Sequence, residues 1–196
     1  MKEKILLVGG GGHCKSAIDV IEREGKYNIA GIIDIKENVG KLILGYKIIG
    51  CDDDLQKLRK QYKNALVTVG HIKTNKTRIK LFKLLKKYQY ILPVIISPLA
   101  YVSKYANIKE GTIIMHHALV NANACVGVNC IINTKALVEH DAIIGDHCHI
   151  ATAAIVNGGV KIKENTFFGS NATSKQLSII KGFIKAGSVV KWKKFL

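Results

Sequence analysis

The 196-residue chain has no apolar run of ~18 residues, and no basic leader followed by an apolar stretch and a cleavage site. A membrane-spanning helix and an exported precursor are therefore not expected, and the sequence predicts a soluble, cytoplasmic protein. Cysteine is sparse and odd in number, at five, which argues against a disulfide framework. Acidic residues are scarce: 14 Asp and Glu stand against 30 Lys and Arg, a formal net charge of +16. That balance suits anionic partners. The lysines are spread along the chain, no basic cluster alternates with aromatics, and no nucleic-acid motif is present. Nucleic acid and membrane surface are set aside in favour of anionic small molecules. Proline is nearly absent, and Pro93, one of only two, opens the stretch to Ser97 where the sequence pattern changes.

What replaces these features is a period. From Ile96 to Phe168 an aliphatic or aromatic residue returns at every sixth position, thirteen times in succession. With 48% of the chain apolar, chance would produce that run roughly 7 times in 100,000. The residue four places further on is nearly always small, as at Ala100, Ala106, Thr112, Ala118, Ala124, Cys130 and Ala136. A helix repeats at 3.6 and a plain strand at 2, so neither explains a strict six. A hexapeptide β-helix does: each hexad is one short strand and a corner, three hexads close a coil, and positions eighteen apart stack. Sixteen uninterrupted hexads are expected from Ile96 to Lys191. Cys130 and Cys148, eighteen apart in small inward slots, read as stacked core residues.

Residues 1–95 carry a different pattern. Lys4 to Val8 is a short apolar strand running into Gly9-Gly10-Gly11-Gly12-His13-Cys14, and a helix follows from Ser16 to Arg23. Such a turn lets backbone N–H groups approach a phosphate at a helix N-terminus. His13 lines that phosphate pocket or caps the helix. The next strand, Asn28 to Asp34, ends in an acid about twenty residues beyond the glycines, where a ribose or base contact belongs. Further strands are predicted at Lys47 to Gly50, Ala65 to Gly70 and Ile91 to Ile95, with helices near Asp54 to Tyr62 and Lys76 to Tyr88. This is a small Rossmann-like α/β unit with room for one mononucleotide half, too small for a complete NAD-dependent dehydrogenase.

Five of the seven histidines fall between His116 and His149, none on an inward aliphatic position. His140, two residues after the inward Val138, projects away from the prism, and Asp141 beside it can fix its tautomer and stabilise the imidazolium. Eighteen residues on stands Gly158, whose bare backbone N–H stacks one coil from the imidazole. A base and an oxyanion donor would then flank one reacting carbonyl.

Val8 to His13, Asp34, Val69-Gly70 with Arg78, Ile96 to Ala100, Ile132-Asn133-Thr134, Val138 to Asp141, Ile144 to Asp146, His149-Ile150 and Gly158 to Val160 together resemble one family. It is that of the left-handed β-helix sugar acetyltransferases with a small nucleotide-sugar-binding domain in front. This group contains the bacillosamine- and legionaminic-pathway N-acetyltransferases and the sialic-acid O-acetyltransferases. The resemblance implies a Rossmann-like domain over residues 1–95 and a left-handed parallel β-helix acyltransferase domain over residues 96–196. It implies a homotrimer with acetyl-coenzyme A (acetyl-CoA) as co-substrate in the groove between adjacent β-helices, and no metal. In that pattern His140 is the general base, oriented by Asp141. Asn133 contacts the acceptor, His149 lies near the thioester, and the Gly158 amide receives the oxyanion. Gly9, Gly12, His13 and Asp34 match the nucleotide-sugar region. The chain departs from the family at Ile33, at Ala153 and at its C-terminus. There, Lys191 is a candidate for the coenzyme phosphates and Trp192 for stacking on adenine.

The expected activity is N-acetylation of a nucleotide-linked amino-deoxy sugar by direct transfer. Three alternatives remain: O-acetylation of a sialic-acid-type sugar, a zinc enzyme on the same scaffold with histidine ligands, and a non-catalytic nucleotide-sugar-binding protein.

Overall fold

The computed structural model describes residues 2–190, which divide between Ile95 and Ile96 into two compact units. Lys191 and Trp192 lie outside the described residues.

In the first unit, strand β1 (Glu3–Val8) leads through the glycines into helix α1 (Gly12–Glu24) and returns in β2 (Tyr27–Ile33). A hairpin β3 (Leu42–Ile43) and β4 (Tyr46–Gly50), the short helix α2 (Leu55–Leu58), β5 (Asn64–Val67) and α3 (Lys76–Lys87) follow. The sheet order is β3-β4-β2-β1-β5, parallel except for β3 against β4. The centre of β1 is fully buried, and α1 covers the sheet with Cys14, Ala17, Ile18, Val20 and Ile21. Helix α1 ends at Gly25, whose φ of 69° forms the left-handed cap and returns its N–H to the Ile21 carbonyl.

Three sequence expectations change here. The predicted strand from Ile91 to Ile95 breaks into one bridge between Ile91 and Asn64 and, at its end, the start of the two-residue strand Ile95–Ile96, because Pro93 lacks the N–H that a ladder needs. The predicted helix from Asp54 to Tyr62 is one turn, Leu55–Leu58, entered through a 3-10 turn at Asp52–Asp54. The β3–β4 hairpin was not expected; its two-residue turn places Leu44 at φ 47° and Gly45 at φ 86°.

The second unit is the expected left-handed parallel β-helix. Two-residue strands stack into three parallel sheets, through Leu119–Val120, Leu137–Val138 and Ile155–Val156 on one face, Cys125–Val126, Ile143–Ile144 and Lys161–Ile162 on the next, and Ile131–Ile132, His149–Ile150 and Phe167–Phe168 on the third. The inward residues from Ile114 to Ile162 are almost completely buried and share one core with the small residues of the adjoining corners, Cys130 and Cys148 included. Each buried Val or Ile contributes about 1.5–3 kcal/mol relative to exposure, which offsets part of the entropy of ordering its hexad.

The corners carry a second period. Every sixth residue from Gly111 to Leu177 has positive φ, including Asn123, Asn129, Asp141, His147, Ala153, Asn165 and Asn171. Asn, Asp and His tolerate this region better than other non-glycine residues, which explains their abundance there. The hexad frame does not run unbroken to Lys191. Phe167 pairs with Phe183 and Thr173 with Val189, sixteen residues on instead of eighteen. A shortened corner at Gly182 (φ 84°) takes up the difference, so Ile184 and Val190 pack on the core.

Candidate functional site

Stacking at eighteen residues puts His140, Gly158 and Gln176 in one column, at the corner that follows the Leu137–Val138 strand. Asp141, at φ 60°, turns its carboxylate back on the ring, and His140 Nδ1 lies 2.8 Å from Asp141 Oδ2. One coil below, Asn123 Nδ2 donates to Asp141 Oδ1 at 2.7 Å, fixing the carboxylate from the other side. A parallel pair lies beside it: Asn121 Nδ2 donates to Glu139 Oε2 at 2.8 Å, and the same oxygen accepts the His140 backbone N–H at 3.0 Å. The hydrogen bond to Asp141 raises the His140 pKa above its usual 6.5. The reciprocal bond, with that from Asn123, holds Asp141 below the usual carboxylate range. The His140 backbone N–H, then Asn121, do the same for Glu139. Both His140 and Asp141 are 55% exposed, so water screens the pair, and its value lies in geometry more than in stability. With Nδ1 bonded to the carboxylate, the proton resides on Nδ1 and Nε2 is left as the acceptor.

That acceptor faces Gly158. A Cβ on Gly158 would lie 2.8 Å from His140 Nε2 and 2.9 Å from Cε1, so the ring occupies the space a side chain would take. At three other corners the amide in this phase is capped by the preceding side chain: Ala122 N–H by Asn121 Oδ1, Thr134 N–H by Asn133 Oδ1, His140 N–H by Glu139 Oε2. Asn157 instead donates its carboxamide to the Ser174 carbonyl. The Gly158 N–H therefore makes no hydrogen bond among the described residues, while the Gly158 carbonyl accepts Leu177 N–H at 3.0 Å. A ring-nitrogen acceptor and an uncommitted amide donor thus stand side by side.

Asn133, at the corner after the Ile131–Ile132 strand, meets His149 of the strand stacked on it, on a different part of the coil. Asn133 Nδ2 lies 3.0 Å from His149 Nε2 and donates to it, so that ring nitrogen carries no proton. His149 is 7% exposed, and its ring meets Phe167 edge-on at 5.2 Å. Within one chain the structure brings His140, Asp141 and Gly158 together, and sets Asn133 with His149 apart from them.

In the first unit the glycine turn leaves the carboxyl end of β1, next to the loop leaving β5. Gly9 has φ 112°, and a Cβ there would lie 2.3 Å from Val69 Cγ2; its carbonyl accepts Thr68 Oγ1–H at 2.7 Å. The fold itself requires that glycine. Gly11 and Gly12 differ: a Cβ on either would meet nothing within 4 Å, and neither has positive φ. Helix α1 begins there with no side-chain cap and no acid in its first turn, so its positive end is open to an anion. Asp34 closes its own turn by accepting Ile35 N–H at 2.8 Å and Asn38 Nδ2–H at 3.1 Å, with Oδ2 beside Gly10. His13 stands in the first turn of α1, its Cβ 3.6 Å from where a Gly70 side chain would start.

Two features behind this turn are not evident from sequence. Arg78, 1% exposed, clamps the loop after β5 by donating to the carbonyls of Val67 and Val69, each at 2.8 Å. Burial, with the Arg78 charge second, drives the His71 pKa down to about 4. Cys14, the residue after His13, is buried and pushed up to about 11, so it packs as a neutral thiol. Asn123 and Gln176 are also absent from the sequence assignment, although counting eighteen down from Asp141 and up from Gly158 finds both. Among the described residues no group of three or more His, Cys, Asp or Glu side chains is placed to hold a metal ion, and no helix is long and apolar enough to cross a membrane.

Comparison with known proteins places these units in context. The PglD N-terminal domain family matches residues 4–85. No curated protein sequence matches significantly. Among solved structures, the chain is similar to perosamine N-acetyltransferase from Caulobacter crescentus, in a histidine-to-asparagine variant complexed with CoA and GDP-perosamine. The TM-score is 0.90 at 31% identity, over 96% of this chain and 89% of that one. It is also similar to the acetyltransferase domain of PglB from Neisseria gonorrhoeae complexed with acetyl coenzyme A, with TM-score 0.89 and 27% identity over 98% and 92% of the two chains. WeeI from Acinetobacter baumannii shares the fold at 19% identity, with TM-score 0.76 over 96% of each chain.

Proposed function

This chain belongs to the PglD-type family of hexapeptide-repeat sugar acetyltransferases, and we propose that it transfers the acetyl group of acetyl-CoA to the amino group of a nucleotide-linked amino-deoxy sugar. The observation that carries the reading is the pairing of His140 Nε2, a free acceptor held by Asp141, with the uncommitted Gly158 amide. The neutral amine attacks the thioester carbonyl carbon and a C–N bond forms. The N–H proton passes to His140 Nε2, and the carbonyl oxygen, now an oxyanion, is held by the Gly158 N–H. Collapse breaks the C–S bond, and the imidazolium returns its proton to the departing thiolate. No acetyl-enzyme and no metal is needed.

The first unit takes the nucleotide part of the acceptor. Gly11 and Gly12 lack side chains that the fold would tolerate, which suits close approach of a diphosphate to the open end of α1, with Asp34 and His13 beside it. Perosamine N-acetyltransferase, crystallised with a GDP-linked amino sugar, supports an amine over a hydroxyl. The proposed assembly is a homotrimer in the cytoplasm, where acetyl-CoA and nucleotide sugars are made. A neighbouring copy would bring Asn133 and His149, which lie on another face of the coil, toward His140 across a coenzyme groove.

A thiol-release assay with acetyl-CoA against nucleotide amino sugars and sialic-acid-type sugars tests the reading. Release with an amine acceptor is expected. Release only with a hydroxyl acceptor would move the assignment to O-acetylation, and nucleotide-sugar binding without acetyl-CoA binding would mark a non-catalytic protein. His140→Ala is expected to retain acetyl-CoA binding and lose about 100-fold or more in turnover; an active variant would remove His140 from its role.

A further inference from the structure

We propose that the Gln176 side chain is the second donor to the oxyanion, acting beside the Gly158 amide. The inference rests on the transfer reading above and extends it by one residue.

Gln176 is the next member of the column that holds His140 and Gly158, one coil further on. Its side chain is exposed, and its Nε2 lies 3.5 Å from the point a Gly158 Cβ would occupy. His140 Nε2 lies 2.8 Å from the same point. The imidazole and the carboxamide therefore converge on one glycine from opposite coils. Neither His140 Nε2 nor the Gln176 carboxamide makes a hydrogen bond among the described residues, so all three polar groups around Gly158 are uncommitted.

The local chain explains why they are left so. Ser174 occupies an inward slot, 2% exposed, and captures Asn157 twice: its hydroxyl oxygen accepts the Asn157 N–H at 2.8 Å and its carbonyl accepts the Asn157 carboxamide. That capture withdraws the side chain which, at equivalent corners, caps the next amide. The segment that uncaps Gly158 is thus the one that delivers Gln176.

A single backbone N–H leaves a tetrahedral oxyanion with unused lone pairs, and side-chain carboxamides serve as donors to such oxygens. Gln176 is neutral, so it holds the oxyanion without opposing the charge that His140 acquires when it takes the amine proton. In the step written above the bonds are unchanged: C–N forms, the carbonyl π pair moves onto oxygen, and that oxygen accepts from both Gly158 N–H and Gln176 Nε2–H before C–S breaks.

Steady-state kinetics of the full chain with acetyl-CoA and its best acceptor, on wild type, H140A, Q176A and Q176E, decide the matter. Q176A is expected to lose about 100-fold in kcat. KM for both substrates should stay within threefold, and the acid limb of the pH profile should not move. Q176E, which keeps the length but cannot donate, should fall at least as far. A Q176A enzyme with kcat within threefold of wild type, or one changed only in a KM, overturns the assignment of Gln176 while an inactive H140A leaves the base in place. An inactive wild type, or an H140A enzyme as fast as wild type, overturns the transfer reading and the Gln176 role with it.

Discussion

Gly158→Ala tests the contact between the base and the oxyanion donor, because it keeps the amide N–H and presses on the ring while meeting Gln176 Nε2 only at an ordinary contact distance of 3.5 Å. The new Cβ would stand 2.8 Å from His140 Nε2 and 2.9 Å from Cε1, where unstrained contacts begin near 3.4–3.5 Å. The ring must retreat by about 0.6 Å or rotate off Asp141. Misplacement on the order of 1 Å costs about 100-fold in rate, or about 2.7 kcal/mol of barrier. Folding should hardly notice. Gly158 lies outside the positive-φ region, the clashing atoms are the tip of a half-exposed side chain, and Gly→Ala gains about 0.4–1 kcal/mol by restricting the unfolded chain. The expected result is a kcat about 30–100-fold below wild type by thiol release, with an unchanged or slightly raised unfolding midpoint. A variant with wild-type kcat would refute the claim that His140 works in contact with Gly158, since no arrangement that keeps the ring in place accommodates the methyl group.

Asp141→Asn removes the main cause of the raised His140 pKa. A general base works only when neutral, so activity is lost as pH falls through that pKa; the acid limb of kcat/KM should move to lower pH and the plateau should drop about tenfold or more. An unmoved limb would show that His140 is not the titrating base. Gly9→Ala should unfold or cripple the first unit, at a cost of about 3 kcal/mol, from its φ of 112° and the clash with Val69. Gly12→Ala should leave thermal stability intact while weakening nucleotide-sugar binding at least tenfold by titration calorimetry; wild-type affinity would rule out close approach at that residue. His71, neutral when buried, has its folded pKa pulled below the unfolded 6.5. Its penalty is absent above that pH and complete once pH passes below about 4, a loss on the order of 3 kcal/mol. Hydrogen exchange in β1 and β5 should accelerate over that window, and His71→Leu should flatten the response.

Legibility from sequence followed the strength of each local constraint. The coil declares itself because every hexad must fill the same prism, so Val138, Ile144 and Ile150 could hardly be anything but aliphatic. The shortened corner after Ile180 does not: Ala186 fits the six-residue spacing, and only the pairing of Thr173 with Val189 reveals that Ile184 and Val190 face the core. In the first unit, β1, β2, α1 and α3 follow from apolar runs and periodicity. The β3–β4 hairpin escapes because its turn is Leu-Gly, without the Asn-Gly or Asp-Gly that marks positive φ. At the site, the closeness of His140 to Gly158 follows from counting eighteen. The release of the Gly158 amide does not, because Asn121 and Asn157 are the same residue in the same phase, yet one caps its neighbour and the other reaches Ser174.

Because the prism grows by identical steps, it can be edited by whole turns. Excising residues 103–120 would rejoin the chain in phase and shorten the rod while sparing His140, Gly158 and Gln176. Excising 141–158 would be equally neutral to the core, but would slide Gln176 into the berth that Gly158 held on the coil above the imidazole. Architecture and chemistry are thus written in the same unit of length yet respond to different cuts, and a pair of such deletions would tell a scaffold turn from a working one.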